Sequence, residues 1–467
     1  MTIYEINEGT LIPIHLLASD MCHLDESNHL IIKQLDRNYT CIINSFNNKC
    51  FLISTSDWNN EMIYPKEFVD SLRRPAALCA EINLPVSLID SSKRSTTFII
   101  ALSYACNLKC TYCYQQHNEK LTKEKISEEN LSHILNTILE YKRSHPEKEI
   151  RIGLFGGEPL LPTNRGYLLK IFEFCLKNKF PISITTNGTN LPYFLNDLIL
   201  YRCLNLTINT TIDSIYGNED TRITANKQLC GNTSIDLLSS IKKLINSRVY
   251  VTVEANIDKH NIHQIEDMIK FYRDNHYLDS EYFHLGFGRV DDRLFETKYA
   301  DILTDTEILL KLQRITDFPK NAYAAFIKSP YELSRKIKQN FNQLELKTSN
   351  NYCWASAPVD DVFYIDSQLD TFRCTYTVGR KELSLFKFSL DNLCAYSPPN
   401  RTYMDYPQCS KCIIGGYCSG GCALSAKVDF DAQCQYERNN FTRFLDDIFY
   451  PYVNDLITQL GKVHYDT

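Results

Sequence analysis

TTFIIALSYACNLKCTYC, residues 96–113, is the stretch that decides the fold of this chain. Its first half is a short apolar run rich in β-branched residues, which predicts a buried strand. Its second half holds Cys106, Cys110 and Cys113 with the spacing C-x3-C-x2-C. Three thiolates cannot complete a closed cubane iron–sulfur cluster, which takes four protein ligands. The stretch therefore predicts a strand followed by a metal-binding loop in which one iron stays open to another ligand.

A zinc site is the alternative for this loop. Zinc would require a fourth Cys or His in a closed tetrahedral arrangement. His117 follows Cys113 by four residues and could serve as that ligand. The spacing alone leaves both interpretations open.

Outward from this stretch, strand-like and helix-like segments alternate. Five further apolar, β-branched runs follow the first one: EIRIGLFGG (149–157), PISITTNG (181–188), NLTINTTID (205–213), VYVTVEANI (249–257) and YFHLGFGRV (282–290). Segments with helical periodicity separate them, which predicts βαβ units and a parallel sheet. Six such units predict an α/β fold, a partial (β/α)6 TIM-type barrel over 96–300. Functional residues are expected at the carboxyl edge of its strands.

Short polar motifs follow the next three strands of this series. They are Gly156-Gly157-Glu158-Pro159, then Thr186 and Asn187 of a TTNG segment, then a TID segment ending in Asp213, with Arg222 and Gly231 further on. Together with CxxxCxxC, and with Tyr112 before its last cysteine, these motifs resemble the radical S-adenosylmethionine (SAM) family over about 96–290. Ser214 departs from that pattern, because the family usually has glycine there.

The resemblance implies a cofactor site at these motifs. Cys106, Cys110 and Cys113 would hold a [4Fe–4S] cluster whose open iron is chelated by S-adenosyl-L-methionine. Cleavage of that molecule yields a 5′-deoxyadenosyl radical, which abstracts a substrate hydrogen. The family also implies cofactor-binding roles for the other motif residues, which are Tyr112, Gly156, Gly157, Glu158, Pro159, Thr186, Asn187, Asp213 and Arg222. Asp213 could equally be a carboxylate that caps a turn or a helix.

A second group of cysteines lies near the C-terminus. Eight of the 18 cysteines fall in 353–434, and one run of them has the spacing C-x2-C-x5-C-x3-C. That run alone would also fit a zinc ribbon. With the cysteine that follows, it resembles the SPASM domain, which typically carries two auxiliary [4Fe–4S] clusters.

The SPASM resemblance implies two sets of ligands. The outer cluster would use Cys409, Cys412, Cys418 and Cys434, and the inner cluster would use Cys353, Cys374 and Cys422. The chain departs from the family at Leu369, where glycine is usual, and it has no second cysteine near Cys353. The inner cluster therefore keeps an open iron or recruits Cys394, and we favour Cys394.

The remaining segments predict smaller units. Residues 1–95 contain short β-branched runs, an Asn47-Asn48 hairpin signal and a helical KEFVDSLRR, which predict a small α+β module. Such a module either adds the leader of a substrate peptide to its sheet edge or is a structural cap. We expect a helical bridge over 301–350, the SPASM domain over 351–436, and over 437–467 a closing helix interrupted near Pro451.

Composition limits the class of protein. The chain has 467 residues and a net charge of −6, so nothing favours a nucleic-acid partner. No apolar run approaches the ~20 residues of a membrane span, and the N-terminus does not resemble a signal peptide. A cytoplasmic protein without a membrane partner is expected. In such a chain, 18 cysteines favour metal chemistry over disulfides.

The combined features most resemble maturases of ribosomally made peptides. The expected activity is that of a radical SAM oxidoreductase, which cross-links side chains of a leader-bearing precursor peptide through C–C or ether bonds, as darobactin-type maturases do. A flavodoxin-like or ferredoxin-like protein would donate electrons. The alternatives are an anaerobic sulfatase-maturating (formylglycine-generating) enzyme, a sactionine thioether synthase and, in a different class, a non-catalytic zinc-binding scaffold. No general base is assigned, because Glu254, Asp291, Asp292 and Tyr376 are each more often ordinary polar residues.

Overall fold

The computed structural model describes most of the chain. The described residues are 3–7, 10–14, 21–23, 30–44, 49–58, 63–72, 95–115, 124–216, 222, 234–292, 300–315, 317–325, 352–353, 355, 361–398, 406–410 and 412–463. In this part of the chain, no helix is both long enough and apolar enough to cross a membrane.

The N-terminal residues form an antiparallel sheet beside a two-stranded ribbon. Their elements are β1 (Ile3–Asn7), β2 (Thr10–Ile14), β3 (Met21–His23), β4 (Leu30–Gln34), β5 (Tyr39–Asn44), β6 (Lys49–Ser54), α1 (Thr55–Trp58), β7 (Ile63–Pro65) and α2 (Lys66–Leu72). The sheet order is β2-β1-β6-β5-β4, and β3 pairs with β7. β5 and β6 pair antiparallel around the predicted turn, whose Asn47 and Asn48 lie outside the described residues. The sequence patterns did not predict β1 and β2.

The six predicted strands of the central domain are present and parallel. The elements in order are β8 (Ser95–Ile100), α3 (Glu128–Ser144), β9 (Glu149–Leu154), α4 (Arg165–Asn178), β10 (Ile182–Thr186), α5 (Leu191–Leu200), β11 (Thr207–Thr211), α6 (Ser234–Asn246), β12 (Tyr250–Ile257), α7 (Ile265–Asp274) and β13 (Phe283–Arg289). The predicted mixed α/β fold with a parallel sheet is confirmed.

Side chains alternate between the two faces of each barrel strand. On β12, Val251 and Val253 are buried in the core that also holds Met268 and Tyr272 of α7. The side chains at the alternate positions, Thr252 and Glu254, are only partly buried and lie on the opposite face of the sheet. The sheet therefore has an apolar face under its helices and a more polar opposite face.

One further strand extends the barrel beyond β13. Helix α8 (Asp305–Gln313) begins with a capping box between Thr304 and Glu307, and β14 (Ala322–Ala325) then pairs parallel with β13. The expected helical bridge over 301–350 is therefore wrong at β14, and residues 326–350 lie outside the described residues. The four residues of β14 are too few for a period-two pattern, so pairing at the sheet edge decides their conformation.

The opposite edge of the sheet receives three strands from the cysteine-rich block. β15 (Asp361–Ile365) pairs parallel with β8, and β16 (Asp370–Phe372) and β17 (Phe386–Lys387) follow antiparallel. The complete order is β14-β13-β12-β11-β10-β9-β8-β15-β16-β17. Since β15 lies beside β8, the C-terminal block adjoins the strand that leads into the first cysteine loop.

Helices complete the C-terminal part. They are α9 (Leu390–Ala395), α10 (Pro407–Ser410), α11 (Gly415–Cys418), α12 (Ala423–Val428), α13 (Phe430–Phe444), a π-helical turn (Leu445–Phe449) and α14 (Tyr450–Val463). The π-helical turn ends two residues before Pro451, and α14 continues through that proline. The change of hydrogen-bond pattern near Pro451 is the irregularity that the proline predicts. Cys41 and Cys50 of the N-terminal sheet share a buried core with Tyr417 and Tyr450, so the two ends of the chain pack together.

Candidate active site

The first cysteine motif forms a loop directly after β8. The backbone N–H of Leu108 donates to the Cys106 sulfur over 3.3 Å, and that of Cys113 donates to the Cys110 carbonyl over 3.1 Å. Burial, helped by the nearby charges of Glu158 and Cys113, raises the pKa of Cys106 to about 11. Burial, followed by Asp213, raises the pKa of Cys110 still further. Without a metal these thiols stay protonated, because a thiolate here needs a compensating positive charge.

The donor set fits the group that the sequence predicts. Three half-buried thiols influence one another's ionisation within one short loop, and thiolates are the ligands of iron–sulfur clusters. In the described ranges, no three Cys, His, Asp or Glu side chains are close enough to hold a single metal ion. His117, the fourth ligand of the zinc alternative, lies outside the described residues.

The GGEP motif after β9 packs directly against the cysteine loop. Gly157 has a φ of +54°, and a Cβ added there would lie 2.3 Å from the carbonyl oxygen of Ala105. The backbone N–H of Glu158 donates to that same carbonyl over 2.8 Å. Glycine is thus required at 157, because the loop and the motif approach closer than any side chain permits.

The carboxylate of Glu158 is fully buried and joins two strand ends. It accepts hydrogen bonds from the N–H groups of Leu160 (2.8 Å) and Asn187 (2.6 Å) and from the Thr186 hydroxyl (2.6 Å). Burial raises the pKa of Glu158 to about 7, although these hydrogen bonds oppose the shift. Both carboxylate oxygens have protein partners, so Glu158 organises the turn after β10. Contact of this motif with the cofactor stays a prediction.

Asn187 connects the third motif to the first. Its side-chain amide donates to the Asn107 side chain over 2.9 Å and lies 3.6 Å from the Cys106 sulfur. Asn107 in turn donates to the Thr189 hydroxyl over 2.7 Å. The sequence analysis did not single out Asn107, although its position inside the cysteine motif was the available signal. The two asparagines hold the loop near its first cysteine.

Asp213 links the cysteine loop to β12. Its buried carboxylate accepts from the Tyr112 hydroxyl and, over 2.9 Å, from the backbone N–H of Asn256. The Asn256 amide also donates to the Tyr112 hydroxyl over 3.2 Å. Buried Arg222 donates to the carbonyls of Thr211 and Asn187, the latter over 3.2 Å. These contacts give Asp213 an anchoring role, and sequence reasoning missed Asn256.

Four cysteines of the C-terminal run line one pocket. Cys409, Cys412, Cys418 and Cys434 surround it together with several glycines. The guanidinium of Arg438 donates to the Cys412 sulfur over 3.4 Å. These are the four residues that the sequence assigns to the outer cluster, so the donor set fits that assignment.

The cysteines assigned to the inner cluster lie on different elements. Cys374 directly follows Arg373 after β16, and Cys422 is buried at the N-cap of α12. Cys353 is half-buried, in a short described piece before β15. Cys394 is exposed on α9, which packs against α3. Cys394 as a fourth ligand stays a prediction.

An aromatic pair joins the first cysteine loop to the segment after Cys374. The rings of Tyr114 and Tyr376 have centroids 4.3 Å apart and are tilted by 32°. Burial, followed by the neighbouring Tyr376, raises the pKa of Tyr114 well above its usual value. The two candidate cluster regions are therefore in direct contact.

Comparisons with known proteins identify the central domain. Residues 100–274 match the family model described as the Radical SAM superfamily. A probable GTP 3′,8-cyclase of Methanococcus maripaludis is 30% identical over 159 residues, which cover 33% of this chain and 46% of that protein. An uncharacterized protein of Methanocaldococcus jannaschii is 24% identical over 191 residues, which cover 39% of this chain and 59% of that protein. The chain thus spans less than two thirds of each of these relatives.

Solved structures are similar over more of the chain. The structure described as native anSMEcpe with bound AdoMet and Cp18Cys peptide has a TM-score of 0.53 and 17% identity. It covers 78% of this chain, and 99% of its own length is matched. The structure of Streptococcus suis SuiB bound to S-adenosylmethionine has a TM-score of 0.51 and 16% identity. The match covers 87% of this chain and 96% of the SuiB chain. At these identities the likeness concerns the fold.

The central part of the chain is therefore a radical SAM domain. The prediction of a radical SAM enzyme is confirmed at the level of this domain, and a [4Fe–4S] cluster and S-adenosylmethionine are the cofactors that the family implies. The darobactin type, the SPASM domain and the auxiliary clusters stay predictions.

Proposed function

We propose that the protein is a radical SAM maturase that oxidatively cross-links side chains of a ribosomally synthesised precursor peptide. The observation that carries the proposal is the cysteine loop at the carboxyl edge of a partial barrel. The backbone N–H of Glu158 and the buried carboxylate of Asp213 hold that loop at the edge of a polar inner wall. Such a site can hold a reactive cofactor beside an enclosed substrate.

The residues of the chain would hold the cofactors and orient them. When bound at Cys106, Cys110 and Cys113, a [4Fe–4S] cluster with S-adenosylmethionine supplies a radical that removes a hydrogen atom from the substrate. Asn107 and Asn187 keep the loop in place beside Cys106. Glycine at 157 permits the close approach of the second motif to the loop.

Two auxiliary clusters would belong to the C-terminal block. We assign the outer one to Cys409, Cys412, Cys418 and Cys434, which share a pocket. We assign the inner one to Cys353, Cys374 and Cys422, with Cys394 as the fourth ligand. Oxidative cross-linking leaves one electron to remove, and clusters can accept it. An external flavodoxin-like or ferredoxin-like protein would supply reducing electrons.

Several observations support a peptide as substrate. A structure described as SuiB bound to precursor peptide SuiA has this fold with a TM-score of 0.50, and the anSMEcpe structure also holds a peptide. The N-terminal sheet of this chain has β2 and β4 as its edge strands. An edge strand offers unpaired backbone groups to an extended leader peptide.

Co-expression with a short peptide encoded beside this protein tests the proposal. We expect a mass loss of two hydrogens for each cross-link, with fragment ions missing between the joined residues. Anaerobically purified protein should be brown and contain about 12 iron atoms per chain, as three cubane clusters would give. Conversion of a peptide cysteine or serine to an aldehyde would instead support a sulfatase-maturating enzyme. Zinc in a colourless protein would contradict the proposal.

The inner cluster has its own test. Cys374→Ala/Cys422→Ala should lower the iron content by about four atoms per chain, because at most two cysteines then remain for the inner cubane cluster. Cys394→Ala is the matched comparison, since this residue is exposed. Because three cysteines can still hold a cubane cluster with an open iron, the readout for Cys394→Ala is the electron paramagnetic resonance spectrum of the reduced inner cluster, and an unchanged spectrum would remove Cys394 from the ligand set.

A further inference from the structure

The inner wall of the barrel carries a carboxylate that the cofactor network does not use. Glu254 lies on β12 two residues before Asn256, so both side chains face the barrel interior. Asn256 contacts the Tyr112 hydroxyl of the cysteine loop. Two residues of a strand span roughly 6.5 Å. Glu254 is therefore about one step deeper in the barrel than the residue that contacts the cofactor loop.

A tyrosine from a different strand holds this carboxylate. The Tyr323 hydroxyl, on β14, donates to Glu254 over 3.1 Å. β13 lies between these two strands, and its Gly286 is in register with both Glu254 and Tyr323. A Cβ at position 286 would lie 3.0 Å from the Tyr323 ring and 3.1 Å from Cγ of Glu254. The contact therefore crosses β13 only because glycine stands there.

The surroundings of Glu254 leave space and few competing charges. Gly288, two residues after Gly286, is in register with Asn256, so the upper inner wall of β13 has no side chains. On β11, uncharged Thr211 is in register with Glu254. On this face, the titratable groups of the neighbouring strands are His284, one layer lower on β13, and Tyr323 on β14, the next strand beyond β13. Burial raises the pKa of Glu254, while the Tyr323 hydrogen bond opposes the rise.

We propose that Glu254 contacts the substrate and accepts the proton released when two substrate side chains are joined, with Tyr323 as the residue that positions it. This inference rests on the proposed cross-linking function. One substrate C–H bond loses its hydrogen atom to the 5′-deoxyadenosyl radical, and the resulting carbon radical bonds to an aromatic ring carbon. That ring carbon then loses its hydrogen as a proton to Glu254. The remaining electron passes to a one-electron acceptor of the iron–sulfur class.

The test compares Glu254→Gln with wild type on a uniformly deuterated precursor peptide. Glutamine keeps the shape and can accept the Tyr323 hydrogen bond, but it cannot take up the proton. We expect deuterium transfer into 5′-deoxyadenosine within about 3-fold of wild type, while cross-linked peptide forms at least ~100-fold more slowly, as is typical when a general base is lost. Glu281→Gln, at an exposed position, is the matched control and should behave as wild type.

Tyr323→Phe separates positioning from catalysis. Since the Tyr323 hydrogen bond lowers the pKa of Glu254, its loss should move the pH profile of cross-linking to higher pH. Gly286→Ala should produce the same direction of change by forcing Tyr323 away from Glu254.

Equal cross-linking by Glu254→Gln and wild type would overturn the inference. So would loss of deuterium transfer together with cross-linking, because Glu254 would then act in binding and not in proton removal. Absence of any peptide modification by the wild-type protein would instead overturn the proposed function, and this inference with it.

Discussion

The two cysteine-rich regions of this protein are supported in different ways. The loop with Cys106, Cys110 and Cys113 follows a completed strand and is tied to the sheet by the buried carboxylate of Asp213 and by the backbone N–H of Glu158. The outer cysteines of the C-terminal block instead surround a pocket among short helices, two of which have only four residues. We therefore expect the first loop to keep its structure without a metal, and the proposed outer cluster to contribute more to the structure of the region around it.

Removal of the first set of thiols should give the largest change in activity with little change in fold. In Cys106→Ala/Cys110→Ala/Cys113→Ala, we expect formation of 5′-deoxyadenosine to fall below detection, because the cluster loses all its ligands. The melting temperature should shift by only a few degrees, since the hydrogen bonds of Glu158 and Asp213 remain. Chromatography of the nucleoside products and circular dichroism measure both effects.

Cys203→Ala is the control for that variant, because Cys203 is an exposed thiol. It should cleave S-adenosylmethionine as wild type does. If the triple variant still forms 5′-deoxyadenosine, the cofactor site lies elsewhere.

Loss of the outer cluster should affect structure more than the first change does. Cys412→Ala/Cys434→Ala leaves only two of the four proposed ligands and should therefore remove about four iron atoms per chain and make 412–463 sensitive to protease, because a metal that organises a small unit also stabilises it. Limited proteolysis followed by mass spectrometry measures this, with the triple variant of the first loop as comparison. Equal protection of 412–463 in both proteins would contradict the difference that we draw between the two regions.

The central barrel was predictable because its signals are local. Six β-branched runs alternate with helical segments, so the six parallel strands followed from pattern alone, whereas the cofactor site at their carboxyl edge stays a prediction. The N-terminal strands β5 and β6 were predictable for the same reason.

The contacts that depend on register were not predictable. Tyr323 lies in a strand of four residues, and its contact with Glu254 crosses β13 at Gly286. Nothing in the local sequence indicates which strand β14 joins. Likewise, the pairing of β15 with β8 brings Tyr376 onto Tyr114, although these residues are far apart in sequence. Periodicity gives the type of an element, whereas tertiary pairing decides its neighbours.

Weakening the support of the first loop should have an intermediate effect. Asp213→Asn alters the partner of the Tyr112 hydroxyl, and we expect the rate of 5′-deoxyadenosine formation to fall about 10–100-fold, as is usual when residues behind metal ligands are changed. The iron content should not change, because the three thiols remain. Iron analysis and initial rates measure these values.

Asp267→Asn is the control for Asp213→Asn, since Asp267 is exposed and accepts a long hydrogen bond of 3.3 Å from the Tyr216 hydroxyl. It should retain wild-type rates. A wild-type rate in Asp213→Asn would mean that the loop does not depend on this anchor.

The smallest expected change concerns the charge beside the outer cluster. Arg438 donates to the Cys412 sulfur, and its positive charge favours the reduced, more negative state of a cluster bound there. Arg438→Gln should therefore lower the reduction potential of the outer cluster by roughly 20–60 mV, as expected for one charge at the edge of a site. Redox titration followed by electron paramagnetic resonance measures the shift.

Arg443→Gln is the control, because Arg443 lies on the same helix but pairs with Glu307 over 2.9 Å. A potential that is equally lowered in both variants would reflect the net charge of the helix and not the contact with Cys412. A shift confined to Arg438→Gln would mean that the contact of this one side chain with Cys412 sets the reduction potential of the proposed outer cluster.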